Sequence, residues 1–83
     1  MRTTITVHVG RDTIDPQGLG SDEDVAAIEA SIMDEVRAEW PNADVRAVGN
    51  GGRTSGTDAD GHDITAEVRA FVNAAFERAC AAL

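Results

Sequence analysis

The residues whose types and spacing could do chemistry gather in one run, Gly56-Thr57-Asp58-Ala59-Asp60-Gly61-His62-Asp63-Ile64-Thr65-Ala66-Glu67. Asp58, Asp60 and Glu67 could offer hard oxygen ligands to a divalent cation. The other candidates are scattered. His8, His62 and the single cysteine, Cys80, do not stand at zinc-ligand spacing. Ser21, Ser31 and Ser55 have no histidine at a predictable distance, so no nucleophile–base pair can be placed. Gly18-x-Gly20 precedes a helix, but Glu23 stands where a dinucleotide-binding turn has its third glycine, and the neighbouring acids would repel a phosphate there. Glu29 falls inside an apolar helical stripe, and a single carboxylate does not make an active site.

The run 56–67 partly resembles a calcium loop of the EF-hand kind. Asp58 and Asp60 fall at the third and fifth places, Gly61 at the sharp turn and Glu67 at the closing bidentate place. It departs from that pattern at Gly56, which puts no carboxylate at the first place, and at Asp63, which stands where an apolar residue belongs. The expectation is an acidic loop that caps the following helix through Asp63. Asp58, Asp60 and Glu67 are then only weak candidates for a cation, and no cofactor is expected.

These side chains must be positioned by a small number of elements. Ile64–Leu83 repeats apolar residues at Ile64, Val68, Phe71, Val72, Ala75, Phe76, Ala79, Cys80 and Leu83, one stripe of a helix that needs a partner surface, with Cys80 buried in it. Thr3–Val9 alternates, with Ile5, Val7 and Val9 on one side and Thr4, Thr6 and His8 on the other, the pattern of a half-buried strand. Gly10–Gly20 reads as a connection that Ile14 and Leu19 could tack to the core. Ser21 is placed to cap a helix whose first turn is Asp22, Glu23 and Asp24 and whose stripe is Val25, Ile28, Ile32, Val36 and Trp40, ending before Pro41. Val45–Gly49 predicts a second strand, Asn50-Gly51 a two-residue turn, and Arg53–Thr57 a third strand antiparallel to the second. The order β-α-β-β-α predicts an α+β fold. Residues 1–83 form one domain, a two-layer sandwich with a three-stranded sheet. In it the first two strands are parallel, the second and third form a hairpin, both helices lie on one face, and Val45 and Ala47 join the buried layer.

The chain carries 15 acids against 7 bases, a net charge of −8, and every base is an arginine. That balance disfavours nucleic acid as a partner. The N-terminus is too short and polar for a signal peptide and no apolar run approaches a membrane span, so a soluble cytoplasmic protein is expected, with no membrane partner. The first long helix concentrates acids, with Asp34, Glu35 and Glu39 as exposed contributors. The open sheet face, carrying Thr4, Thr6, His8, Arg46 and Arg53, is mildly basic. The reading favoured by size and charge is a small, non-enzymatic interaction protein that meets a basic protein surface through Asp34, Glu35 and Glu39. Inhibitors from phages and mobile elements that imitate nucleic acid have this kind of size and charge. The alternatives are a cation- or ligand-binding module built on loop 56–67, and a structural homodimer associating through the sheet.

Overall fold

The alternation read along the first strand is realised in the computed structural model, which describes all residues except Met1, Pro16, Gln17, Leu19, Asn50, Ala82 and Leu83. Strand β1 spans Thr4–His8, and Ile5 and Val7 are wholly buried in it. A short helix α1 follows at Arg11–Ile14, then α2 at Asp22–Glu39, β2 at Asp44–Val48, β3 at Ser55–Thr57 and α3 at Thr65–Ala81. The sheet is three-stranded and mixed, in the order β2-β1-β3. β1 and β2 are parallel, with Ile5 beside Val45 and Val7 beside Ala47. The α+β class, the three strands and the parallel first pair are as the sequence predicts.

The expected hairpin between the second and third strands does not form. β3 instead pairs antiparallel with the far edge of β1, with Ile5 opposite Gly56 and Thr6 opposite Ser55. A two-residue turn reaches only the adjacent strand position, about 4.8 Å away. Residues 49–54 are long enough to cross the end of β1, turning through Gly51 at φ +84° and a Gly52 N–H that donates to the Gly49 carbonyl at 3.0 Å. The physical reason lies in β1. Its side chains are the most buried of the sheet, so an unpaired edge there would leave backbone groups without water or partner. The observed order puts that strand in the centre and satisfies both of its edges. The Asn50 half of the expected turn lies outside the described residues.

β3 is in turn closed on its outer side. The Ile64 N–H donates to the Gly56 carbonyl at 2.9 Å, the Gly56 N–H donates to the Thr65 hydroxyl at 3.2 Å, and Thr57 bridges to Asp63. An edge covered this way is not free to template another chain.

α2 begins where its cap predicts. The Asp24 N–H donates to the Ser21 hydroxyl at 3.1 Å, with Asp22, Glu23 and Asp24 at the positive end of the helix. Ser21→Ala is expected to lower unfolding stability by about 1 kcal/mol, read from urea denaturation midpoints, whereas Ser21→Asp should be nearly neutral. The helix ends at Glu39, with Trp40 as its C-cap before Pro41, as expected. Val25, Ile28, Ile32, Met33 and Val36 of α2 and Val68, Val72, Ala75 and Ala79 of α3 share one apolar cluster with Ile5, Val7 and Val9. Phe71 and Phe76 pack against it half-buried, and Phe71 meets Trp40 edge to face with ring centres 5.1 Å apart. No helix among the described residues is long and apolar enough to cross a membrane.

Three local expectations change. Gly10–Gly20 is not only a connection, because its start winds into α1 and buries Ile14, the anchor expected there. Leu19, the other expected anchor, lies outside the described residues. Ala47 is exposed and Val45 only half-buried, because β2 is an edge strand against which the core packs only near its start. Cys80 is exposed rather than buried, since the helical stripe turns it away from the cluster that holds Ala79.

Candidate functional site

The acids named on α2 are not equivalent. Asp34 and Glu39 are exposed and make no ion pair among the described residues. Glu35 is different: its Oε1 accepts from Arg78 Nε at 2.9 Å and Nη2 at 2.7 Å, tying α2 to α3. The Arg78 guanidinium also lies 5.9 Å from the centre of the Phe71 ring, so this pair is part of the seam between the helices. Glu35 is therefore a half-buried structural partner and not an exposed contributor. At the start of α2, Asp22 accepts from Arg11 at 3.0 Å, while Glu23 and Asp24 are exposed without an ion pair among the described residues.

The acidic loop organises itself. Asp58 Oδ1 accepts from the backbone N–H groups of Asp60 and His62, both at 2.9 Å, and His62 Nδ1 stands 3.4 Å from Asp58 Oδ2. The Asp58 N–H returns to the His62 carbonyl at 2.9 Å, and Gly61 takes the left-handed conformation the turn needs, φ +86°. Asp63 acts as expected on the helix start, one residue early: its Oδ1 accepts from the Thr65 N–H at 2.9 Å. Asp58, Asp60 and His62 bring one donor atom each within 4.8 Å of one another. Glu67, the closing ligand of the calcium-like reading, is not part of that group. One Asp58 oxygen is thus already occupied by the loop's own amides.

These amides leave a trace in acid. The Asp58 carboxyl is held below the usual carboxylate value, chiefly by the His62 backbone N–H, with slight burial opposing and the Asp60 N–H and the His62 ring adding to the lowering. The Asp63 carboxyl is lowered by the Thr65 hydroxyl and then by the Thr65 N–H. A carboxyl whose folded pKa is depressed contributes stability above its unfolded pKa. That contribution fades as the pH falls below about 4 toward the folded value, because the unfolded chain takes up the proton first. The Asp58→Asn/Asp63→Asn variant should therefore show a shallower loss of stability between pH 5 and pH 2 than the parent, in urea titrations at each pH.

Of the residues expected on the open sheet face, Thr4, Thr6, His8 and Arg46 share it in the observed register, and Arg53 alone is placed otherwise. Thr4, Thr6 and His8 sit beside Asp44, Arg46 and Val48 in register, so Asp44 joins that face and lies 3.7 Å from Arg46. Thr57 and Ser55 complete the rows beside Thr4 and Thr6. Arg53 lies outside β3 and on the β3 side of β1, away from β2, because the hairpin expected between β2 and β3 does not form.

His8, expected to face outward, is only partly exposed, its side chain at 15%. Its backbone N–H donates to the Thr54 hydroxyl at 3.0 Å, which fastens the approach to β3. Its Nε2 is 2.9 Å from Asp12 Oδ1, and the Thr13 hydroxyl is 2.9 Å from Nδ1. An acid, an imidazole and a hydroxyl in sequence resemble a proton relay. The same Thr13 oxygen, however, is 3.5 Å from Nε2. An atom that near to both ring nitrogens lies over the ring and not along a lone pair, a poor position for proton transfer. The grouping ties α1 to the end of β1. It escaped sequence reasoning because four helical residues give no periodic signal.

Beyond His8 a cleft of about 580 Å³ opens at the carboxyl end of β1, between residues 52–55 and α3. Arg53, Ser55, Arg69 and Asn73 line it. Arg69 and Asn73 stand one turn apart on α3, and Arg53 comes from the loop before β3. Sequence reasoning placed Arg53 on the sheet and did not single out Arg69; that both line one cleft depends on β3 lying beside β1.

Compared with known proteins, the chain matches no family model, no curated protein and no solved structure.

Proposed function

We propose that this chain is a small non-enzymatic interaction protein of the cytoplasm that meets a basic protein surface through the exposed acids of α2. The observation that carries this reading is the distribution of ion pairs. Asp22 and Glu35 are neutralised by Arg11 and Arg78, whereas Glu23, Asp24, Asp34 and Glu39 make no ion pair among the described residues. Unpaired carboxylates fixed on an 18-residue helix give a field whose layout is set by the fold, which steers a cationic partner and sets its orientation. The overall excess of acid reinforces that field. A nucleic-acid-imitating inhibitor is the finer form of the same reading, resting on size and charge.

The experiment compares a partner captured from the native host against the parent chain and against Asp34→Lys/Glu39→Lys. These two positions are free of internal pairs, so the fold should be retained. Affinity should drop about tenfold or more in the variant, and parent affinity should fall steeply with added salt. Equal affinity for both chains, or indifference to salt, would remove α2 as the contact surface.

A further inference from the structure

We infer that the cleft at the carboxyl end of β1 binds a small phosphorylated molecule, with its phosphate gripped between Arg53 and Arg69. This site is separate from the acidic face of α2 and stands or falls independently of it.

Charge makes the first argument. The chain has 15 acids for 7 bases, yet no aspartate or glutamate is among the described residues lining the cleft, and two arginines are. Arg11, Arg46 and Arg78 each find a carboxylate. Arg53 and Arg69 make no ion pair among the described residues, as is also true of Arg2 and Arg37, and they are the two that line the cleft. In a chain so rich in acid, two unengaged guanidinium groups on one concave surface form a local positive site in a negative molecule. Planar guanidinium forks suit a phosphate, whose oxygens accept paired N–H bonds.

The second argument is the supply of neutral donors. The Ser55 hydroxyl and the Asn73 amide line the same cleft and have no hydrogen-bond partner among the described residues. The other hydroxyls near by are engaged, Thr54 with the His8 N–H and Thr65 with Gly56. The free donors are therefore those facing the space a ligand would take, and the engaged ones hold the walls.

Placement and size make the third. The cleft lies on the antiparallel side of β1, where that strand ends and residues 52–55 lead into β3 beside α3. The cleft, about 580 Å³, falls within the range of small-molecule sites and is roomier than a bare phosphate needs. Val72, one residue before Asn73, gives it an apolar patch suited to the organic part of a phosphate ester. A nucleic acid strand fits less well, because no aromatic ring is among the described lining residues and the net charge of −8 repels a long polyanion.

The test is a titration of the 15N-labelled chain, followed by amide shifts, with AMP and glucose 6-phosphate as probes. Adenosine and glucose serve as their phosphate-free counterparts, and inorganic phosphate and a short single-stranded oligonucleotide complete the set. At least one phosphate ester should move the amides of Ser55, Arg69 and Asn73 saturably, more tightly than inorganic phosphate, while its phosphate-free counterpart leaves them in place. Arg53→Gln and Arg69→Gln should each weaken that binding by about ten- to hundredfold with the rest of the spectrum intact. Arg37→Gln, at an exposed arginine outside the cleft, should leave it unchanged. Absence of saturable shifts with both esters up to about 10 mM would overturn the assignment. So would binding that survives both cleft variants, equal binding of a phosphate-free counterpart, inorganic phosphate matching the better ester, or tighter binding of the oligonucleotide at the same amides.

Discussion

Ile5→Ala will cost about 2–5 kcal/mol of unfolding free energy, a large share of the roughly 4–12 kcal/mol expected for a chain of this length. Ile5 is fully buried, sits in the central strand, and has Val45 on one side and Gly56 on the other. Gly56 has no side chain with which to fill the gap, and the neighbouring strands cannot close on it without giving up ladder hydrogen bonds on both edges. The loss therefore combines the transfer of the removed methyl groups with a cavity that cannot collapse. Thr4→Ala, one residue away on the exposed side, should stay within about 0.5 kcal/mol. Urea denaturation of the two variants measures the contrast directly. Equal effects would mean that β1 is not the buried centre of the sheet.

Gly56→Ala is the second large effect, and it works by excess volume. A Cβ at Gly56 would lie 2.7 Å from Val68 Cγ2 and 3.0 Å from Ile64 Cγ1. Val68 is wholly buried and β-branched, so it has little freedom to turn away. Overpacking of this kind costs about 1–3 kcal/mol. Restricting the unfolded chain returns about 0.4–1 kcal/mol, so the clash prevails. The difference, up to about 2.6 kcal/mol, should lower the melting temperature by up to about 20 °C. Val68→Ala alone should also destabilise, by leaving a hole against Gly56. The two changes share one space, so the double variant should be more stable than the sum of the single losses predicts. Strict additivity would show that α3 does not rest on β3 at this point.

Gly56 also shows why part of the fold could be read from the residues and part could not. The alternation of Ile5, Val7 and Val9 specifies a strand and its buried side, and the stripe from Val25 to Trp40 with Ser21 before it specifies a helix and its start. Both are written in side-chain periodicity. The partner of the third strand is not. Ser55, Gly56 and Thr57 offer no large side chain whose burial would distinguish one edge of the sheet from another, and Asn50-Gly51 is a strong local signal for the wrong neighbour. What decides the pairing is the need of β1 to have both edges satisfied, a property of the whole sheet. The same holds for the surfaces. Asp34 and Glu39 could be found on α2 from helical geometry alone, but the pairing of Glu35 with Arg78 joins distant parts of the chain. The cleft was invisible for the same reason, since Arg53 and Arg69 line one space only once β3 lies beside β1.

That late partner has a consequence for synthesis. A nascent chain that has emerged as far as Val48 already holds both members of the parallel pair, but β1 still shows a bare edge and the apolar stripe of α2 lacks the helix that will cover it. Only when the last turns of α3 clear the ribosome can both defects be closed together. Over that interval the emerging polypeptide presents an open, valine- and isoleucine-rich strand to its surroundings, the moment at which a holding chaperone would be of most use to it.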